Sequence, residues 1–570
     1  MSFDLSDTAR EALDSEGPLL VLGGPGSGKT TLSLFKAQRL TRQLGPGQEV
    51  LFLSFSRAAV HQVVVRCKEV LSTDERRLIA VKTYHAFCME ILQAHGRLLT
   101  GRPPRMLFPR QERLRKSAHQ GDWSGEQGRL AAEEGLYAFD QFASSSADLL
   151  TRASCVRTLL ADRYPVVILD EFQDTNDAQW AFVQQLARAS RIVVLADPDQ
   201  RIFEYDTSVD PRRLDQLRDL ISPAEFDLGA DNHRSPGGGI LGFADAVLRN
   251  RPLPDTNAVV RRSFWPNAFD SSVHTSVIWL LSALRNAGVA RPSVAVLCRT
   301  NSLVSRLSDA LREERSFNGA IYKPVDHAVT WDAELAAAAA SVVASVLEWP
   351  QHAPDVAAAI TLQAITDFYD MKNAEHPSGS ASKAAVSFRK ASEDMKAAKA
   401  PRSNAGKAIV TASDAGIDLS GSPVEDWRRA QAILTGTPQL DEVHKHSRLV
   451  RLFRASGEIG PQLADQWSET GTYGQVREVV RRAIDRTRLV SVRSDPRGVV
   501  LMTMHKSKGK EFDGIVLVEG AHSGMFLDDR NEEAPYHASR RLLRVGITRA
   551  RGRVVILRPN GALPLTGSYS

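Results

Sequence analysis

Two short runs carry the residue types best suited to chemistry. Gly23-Gly24-Pro25-Gly26-Ser27-Gly28-Lys29-Thr30 follows the apolar stretch Leu19–Leu22 with the spacing G-x-x-x-x-G-K-[ST]. Glycines let backbone N–H groups approach phosphate oxygens, and a helix beginning at the end of the run points its positive pole at the same anion. Lys29 is then expected at the β- and γ-phosphates and the Thr30 hydroxyl on Mg²⁺. The second run is Asp170-Glu171, directly after Val166-Val167-Ile168-Leu169. A carboxylate at the carboxyl end of a parallel strand reaches a metal beside the phosphates. Asp170 is expected to hold Mg²⁺ through water, and Glu171 to take a proton from the attacking water. An acidic pair after a strand is by itself more often a solvated loop; the phosphate loop in the same chain favours the catalytic reading.

These runs need strands to hold them. Leu19–Leu22, Val50–Phe55, Ile79–Lys82, Val166–Asp170 and Arg191–Ala196 read as buried strands, each followed by a helical pattern. Val294–Cys298, Val499–Met504, Ile515–Glu519 and Arg553–Leu557 repeat the theme. Such alternation predicts an α/β protein with two parallel sheets, one on either side of roughly residue 260. Two helical stretches interrupt them. The expected division is 1–92 and 165–260 for the first α/β domain with 93–164 as its insertion. The second comprises 261–349 and 486–570, with 350–485 as its insertion. Within the latter, the Ser/Ala/Lys-rich segment Pro377–Lys407 resembles a linker or mobile helix more than core.

The bulk numbers exclude little. With 570 residues the chain is long enough for several domains. Lys and Arg (72) exceed Asp and Glu (67) by five, too small a bias to imply a polyanionic partner alone. Cys67, Cys88, Cys155 and Cys298 lie far apart without C-x-x-C spacing, which predicts reduced, buried thiols in a cytoplasmic protein rather than a metal site. The amino terminus lacks a basic region followed by an apolar one, so no secretory signal is expected. The most apolar run, Leu335–Leu347, is too short to span a membrane and reads as a buried helix.

Further motifs follow in a fixed order. Asp170-Glu171-Phe172-Gln173-Asp174-Thr175-Asn176 resembles the DE-x-QD-x-N signature of helicases of the UvrD/Rep/PcrA group in superfamily 1. Ser54-Phe55-Ser56, Thr83-Tyr84-His85-Ala86-Phe87, Asp197-Pro198-Asp199-Gln200, Asn232-His233-Arg234-Ser235 and Arg299-Thr300-Asn301 resemble that group's other segments. So do Thr503–Phe512, which includes His505, Gly509 and Glu511, and Arg541–Ala550. The resemblance runs from about residue 5 to 557. It implies two RecA-like domains and ATP with Mg²⁺ as ligands. It also implies 3′→5′ movement on single-stranded DNA and action on tailed duplex DNA. Gln200 would sense the γ-phosphate, and Arg234 and Arg549 would be arginine fingers from opposite domains. Thr31, His233, Gly509 and Glu511 fall among the nucleotide-binding positions, and Phe55, Arg57, His85, Tyr205 and His505 among those that touch DNA.

Departures from the pattern bear on specificity. The group's adenine-reading Gln falls on Ala9, its Arg after Gly-Lys-Thr is Thr31, and its adenine-stacking aromatic is His233. Along the track, Asp206 replaces an Arg, Lys510 a Leu and Arg544 a Tyr, so an acid at Asp206 is expected to repel phosphate unless one of those new cations pairs with it. Both insertions look shorter than in the large repair helicases, and the usual long C-terminal extension is absent from the pattern. Compact UvrD-like proteins of phage-defence systems such as Gabija look similar. That likeness implies an alternative: a DNA-responsive regulatory NTPase that controls a partner nuclease or another repair or defence protein.

Overall fold

The computed structural model describes the chain except residues 1–4, 108–111, 113–114, 117–118, 120, 203–206, 230–231, 236, 318, 331–332, 376–378, 449–458, 481–497 and 568–570; at 57–58, 317, 333–334 and 374–375 it describes the backbone alone. The chain divides into two compact units, one from residues 1–112, 120–328 and 496–570 and one from 113–119 and 329–495.

The first unit holds two six-stranded sheets. Strands β1 (Leu19–Leu22), β2 (Val50–Ser54), β3 (Ile79–Thr83), β4 (Val166–Leu169), β5 (Arg191–Ala196) and β6 (Ala224–Asp227) form the first. Their order is β3-β2-β4-β5-β1-β6, and every pairing is parallel. The second contains β7 (Val259–Phe264), β8 (Val294–Cys298), β9 (His327–Val329), β10 (Val499–Thr503), β11 (Phe512–Val518) and β12 (Ala550–Pro559). Its order is β9-β10-β8-β11-β12-β7, and β10, β8, β11, β12 and β7 run parallel. Helices cover both faces of a parallel sheet, so central strands such as β4 and β8 are apolar and buried at every position.

The expected strands recur within a residue or two at most ends, apart from β11 and β12, which are longer. The edge strands β6, β7 and β9 carried no such signal. Ala-Glu-Phe-Asp in β6 is largely exposed, and β7 is buried only at its ends, Val259 and Phe264, with half-buried and exposed residues, two of them arginines, between. Because β7 and the helix Gly239–Leu248 belong to the second sheet and its core, the second domain begins upstream of the expected boundary at 260. The stretch 93–164 is not a free-standing insertion either. Tyr137, Phe142, Leu149, Leu150 and Leu160 join the core beneath the first sheet, and Arg105–Leu107 pairs with Leu136–Ala138 as a short parallel ribbon.

The second unit is helical with its own core. It takes in the helix Ala333–Leu347, buried as expected, so the expected boundary at 349 lies too late. The helix Gly379–Lys396 overturns the linker reading of Pro377–Lys407. Ala381, Ala384, Ala385, Phe388, Ala391 and Ser392 recur at helical spacing and are buried. Their small side chains let the backbone of helix Pro354–Glu375 approach until Ser392 Oγ donates to Ala359 O at 3.0 Å. Of the cysteines, Cys67, Cys88 and Cys298 are buried as expected, whereas Cys155 is exposed on the helix Ser154–Arg163. Among the described residues no helix is long and apolar enough to cross a membrane.

Candidate active site and nucleic-acid contacts

Three adjacent strands of the first sheet, β4, β5 and β1, deliver the candidate site from their carboxyl ends. The loop after β1 turns through left-handed backbone at Gly26 and Gly28, with φ of +81° and +86°. A side chain at Gly26 would also collide with Arg234, whose Cβ would lie 2.6 Å away. Gly28 caps the helix Lys29–Thr41, so the Lys29–Thr31 amides begin that helix. Pro25 and Ser27 complete the loop. The Ser27 hydroxyl is buried with no hydrogen-bond partner among the described residues. Lys29 folds back instead, donating from Nζ to Gly23 O at 2.5 Å and to Gly24 O at 3.0 Å. Burial pushes its pKa down.

Asp170 follows β4 and is buried. Its Oδ1 accepts from the Glu171 N–H at 3.0 Å, and Ser54 Oγ lies 3.5 Å from Oδ2. Glu171 itself adopts left-handed backbone with φ +53°, a conformation that costs a non-glycine residue about 1–2 kcal/mol. Burial, with the neighbouring Glu171 charge, pushes the Asp170 carboxyl up to about 7. Glu171, although burial opposes its ionisation, is held below the usual range by Lys508 and Lys29. Two adjacent buried carboxylates beside a hydroxyl-bearing phosphate loop suit a divalent cation, whose charge relieves their repulsion. Among the described residues no cluster of three His, Cys, Asp or Glu could hold a metal alone.

The second sheet closes over this loop with cations. Gln200 Nε2 donates to Asp197 Oδ2 at 2.6 Å while its Oε1 accepts from Arg549 Nη2 at 2.9 Å. Arg549 is buried, and burial together with the nearby Arg234 lowers its pKa to about 9. Arg234 donates to Glu511 Oε1 from Nε at 2.9 Å and from Nη2 at 2.5 Å, and to Thr548 O at 3.1 Å. Glu511 opposes its own burial through Arg234 and Arg551, which hold its carboxyl at about 2. Gly509, at φ +72°, packs near Ala59 of the first sheet's helix Arg57–Val70. His233 bonds its backbone N–H to Gly26 O at 2.8 Å and rests its ring beside Gly28. Ala9 and Thr31 are buried, so neither offers the long polar side chain of the resembling pattern.

The candidate nucleic-acid residues sit after other strands. Phe55 follows β2, His85 follows β3 and His505 follows β10, each half-buried. The His85 ring is not open: it stacks on Phe139, with centroids 4.3 Å apart and planes 6° apart. Phe139 is itself 43% exposed. Burial lowers the pKa of His85, and burial with the Arg299 charge lowers His505 to about 4. Tyr205 and Asp206 lie outside the described residues, as does the Arg57 side chain.

With this geometry in view, comparison with known families is decisive. The UvrD/REP helicase N-terminal domain matches residues 5–123 and 126–218, and the UvrD-like helicase C-terminal domain matches 380–559. The chain belongs to the UvrD-like helicase family. The ATP-dependent DNA helicase PcrA of Leuconostoc citreum is 26% identical over 358 residues, covering 52% of this chain and 47% of that protein. The ATP-dependent DNA helicase Rep of Escherichia coli (strain K12) is 26% identical over 282 residues, covering 41% of this chain and 42% of that protein. The chain thus spans about half the length of the curated relatives it matches.

The roles of two residues of this UvrD-like site, Gln173 and Lys508, escaped the sequence reading. Gln173 donates to Glu171 Oε2 at 2.5 Å and accepts from the Asp197 N–H at 3.0 Å, tying β4 to β5. Lys508 crosses from the second sheet to pair with Asp174, approaches Glu171 at 3.4 Å and donates to Gln200 O at 2.8 Å. Both lie inside quoted motifs, so the signal was present although their partners were not. Arg544 spends its charge on Asp245 at 2.8 Å, Asp197 at 3.4 Å and Asp199 at 3.9 Å. The Lys510 ammonium lies 3.9 Å from Met502 Sδ.

Proposed function

We propose that this protein couples Mg-ATP hydrolysis to 3′→5′ movement along single-stranded DNA and to unwinding of tailed duplex. The bridge from Asp197 through Gln200 to Arg549 carries the reading: one side chain joins the phosphate-loop sheet to a finger arginine of the facing sheet. Bound Mg-ATP supplies the electrophilic γ-phosphoryl group and the charge that activates it. Thr30 and Asp170 hold the cation, and the loop amides with the Ser27 hydroxyl hold phosphate oxygens. Glu171 accepts the water proton at its carboxylate, kept ionised by Lys508. Arg234 and Arg549 exchange Glu511 and Gln200 for the charge that develops on the phosphoryl oxygens. Since these arginines come from both sheets, the cleft must close for hydrolysis and can open once charge is lost. Phe55, Arg57, His85, Tyr205 and His505 would grip single-stranded bases or phosphates, a mode tolerant of sequence.

Steady-state hydrolysis with and without a poly-dT oligonucleotide, followed by strand displacement on 3′- and 5′-tailed duplexes, tests this. DNA-stimulated hydrolysis with unwinding of the 3′-tailed substrate is the expected result. Stimulated hydrolysis with neither duplex unwound would instead favour the regulatory NTPase with a nuclease partner.

A further inference from the structure

The edge of the second sheet far from the cleft has a use that nothing above assigns. Strand β7 pairs on one side with β12. Ala258 O accepts from Val554 N at 2.8 Å and Phe264 O from Asn560 N at 2.9 Å, so even-numbered residues direct their backbone groups inward. Val259, Arg261 and Ser263 therefore present N–H and C=O outward, and among the described residues β7 ends the sheet with no further strand beside it. A cavity of about 850 Å³ runs along this edge, lined by β7 residues of both faces with Trp279, Arg553, Arg558 and Asn560. The Arg262 and Arg553 guanidinium groups lie over the Trp279 ring, 4.7 and 5.8 Å from its centroid. Arg558 is tied to Glu519, but among the described residues no carboxylate pairs with Arg261, Arg262 or Arg553.

We propose that the β7 edge binds an acidic, extended segment of a partner protein as an added strand. Outward backbone groups supply the ladder, and side chains alternating along the incoming strand place acidic groups against Arg262 and Arg553. Nucleic acid shares the charge but has no amide ladder to offer the edge. The strand of this sheet that ends in a candidate DNA residue, β10 before His505, also lies four places inward, about 19 Å away. A second copy of this chain would set Arg261 and Arg262 of one edge against the same arginines of the other, a like-charge arrangement that opposes self-pairing.

The test uses the full chain and a fluorescein-labelled peptide of alternating Glu and Val. Fluorescence anisotropy should show saturable binding, weakened at least about tenfold in Arg262→Glu/Arg553→Glu. Hydrogen exchange across residues 259–264 should slow when the peptide is bound. Melting followed by circular dichroism checks that the variant is folded. Absence of saturable binding overturns the proposal, as does binding that leaves exchange at 259–264 unchanged. Competition by a dT oligonucleotide, lost in the same variant, would assign the surface to nucleic acid and overturn it as well.

Discussion

Glu171 is the residue on which the proposed hydrolysis turns. Glu171→Gln should retain nucleotide binding, measured with a fluorescent analogue, and lower hydrolysis by ~10²-fold or more, because the proton acceptor is lost while Asp170 and Thr30 remain. A rate within a few-fold of the parent would place the base elsewhere. At the far end of the pocket, Ala9, Thr31 and His233 leave few polar groups to read a base. Competition assays should therefore find ATP, GTP and CTP accepted within roughly a hundredfold of one another, since discrimination comes from pocket groups left unpaired by the wrong ligand. The candidate residues stood out because phosphate and metal chemistry demands fixed types at fixed spacing. Their pairings did not: Lys508 meets an aspartate 334 positions away, and sequence order carries no trace of that distance. Nor did the motif around His85 show that Phe139 would cover its ring.

Among the elements, central strands were readable because burial on both faces leaves an unbroken apolar run. The edge strands failed for the opposite reason, since β7 is half arginine and serine where it meets solvent. The helix Gly379–Lys396 failed through its alanines, which look featureless in sequence yet pack it against the helix Pro354–Glu375 in the second unit's core. Ala385→Leu should overpack that contact and destabilise the unit by about 1–3 kcal/mol in denaturant melts. A neutral effect would mean that this face is looser than the buried alanines indicate. In the same unit, the carboxyl of Glu442, on helix Pro438–Ser447, is bonded by His446 and, at 2.8 Å, by Lys372 of helix Pro354–Glu375. The His446 bond, against partial burial and with help from Lys372, holds that carboxyl at about 2. A depressed carboxyl stabilises the fold above its ordinary value of 4.5, and that contribution fades as pH falls from there toward 2. Thermal melting across this window should show a smaller loss of stability in Glu442→Gln than in the parent; identical curves would remove Glu442 from the account.

At the scale of the molecule, two units with separate cores predict stepwise unfolding. Calorimetry should resolve two transitions. Mg-ATPγS should raise only the one belonging to the two-sheet unit, by about 2.7 kcal/mol at a hundredfold excess over its dissociation constant. A single transition that moves as a whole would show the units to be one cooperative block. The two-sheet architecture was foreseeable from alternating strands and helices. The assignment of the 93–164 stretch was not, because its helices carry polar faces that hide how completely Phe142, Leu149 and Leu150 are buried.

The back-bonded Lys29 bears on how tightly the loop can hold an anion. Its ammonium is matched by the carbonyls of Gly23 and Gly24, so a phosphate that pairs with it must displace those two bonds. Entry of a nucleotide is then a swap of partners rather than the filling of a vacancy, and measured affinity is the difference between two satisfied arrangements.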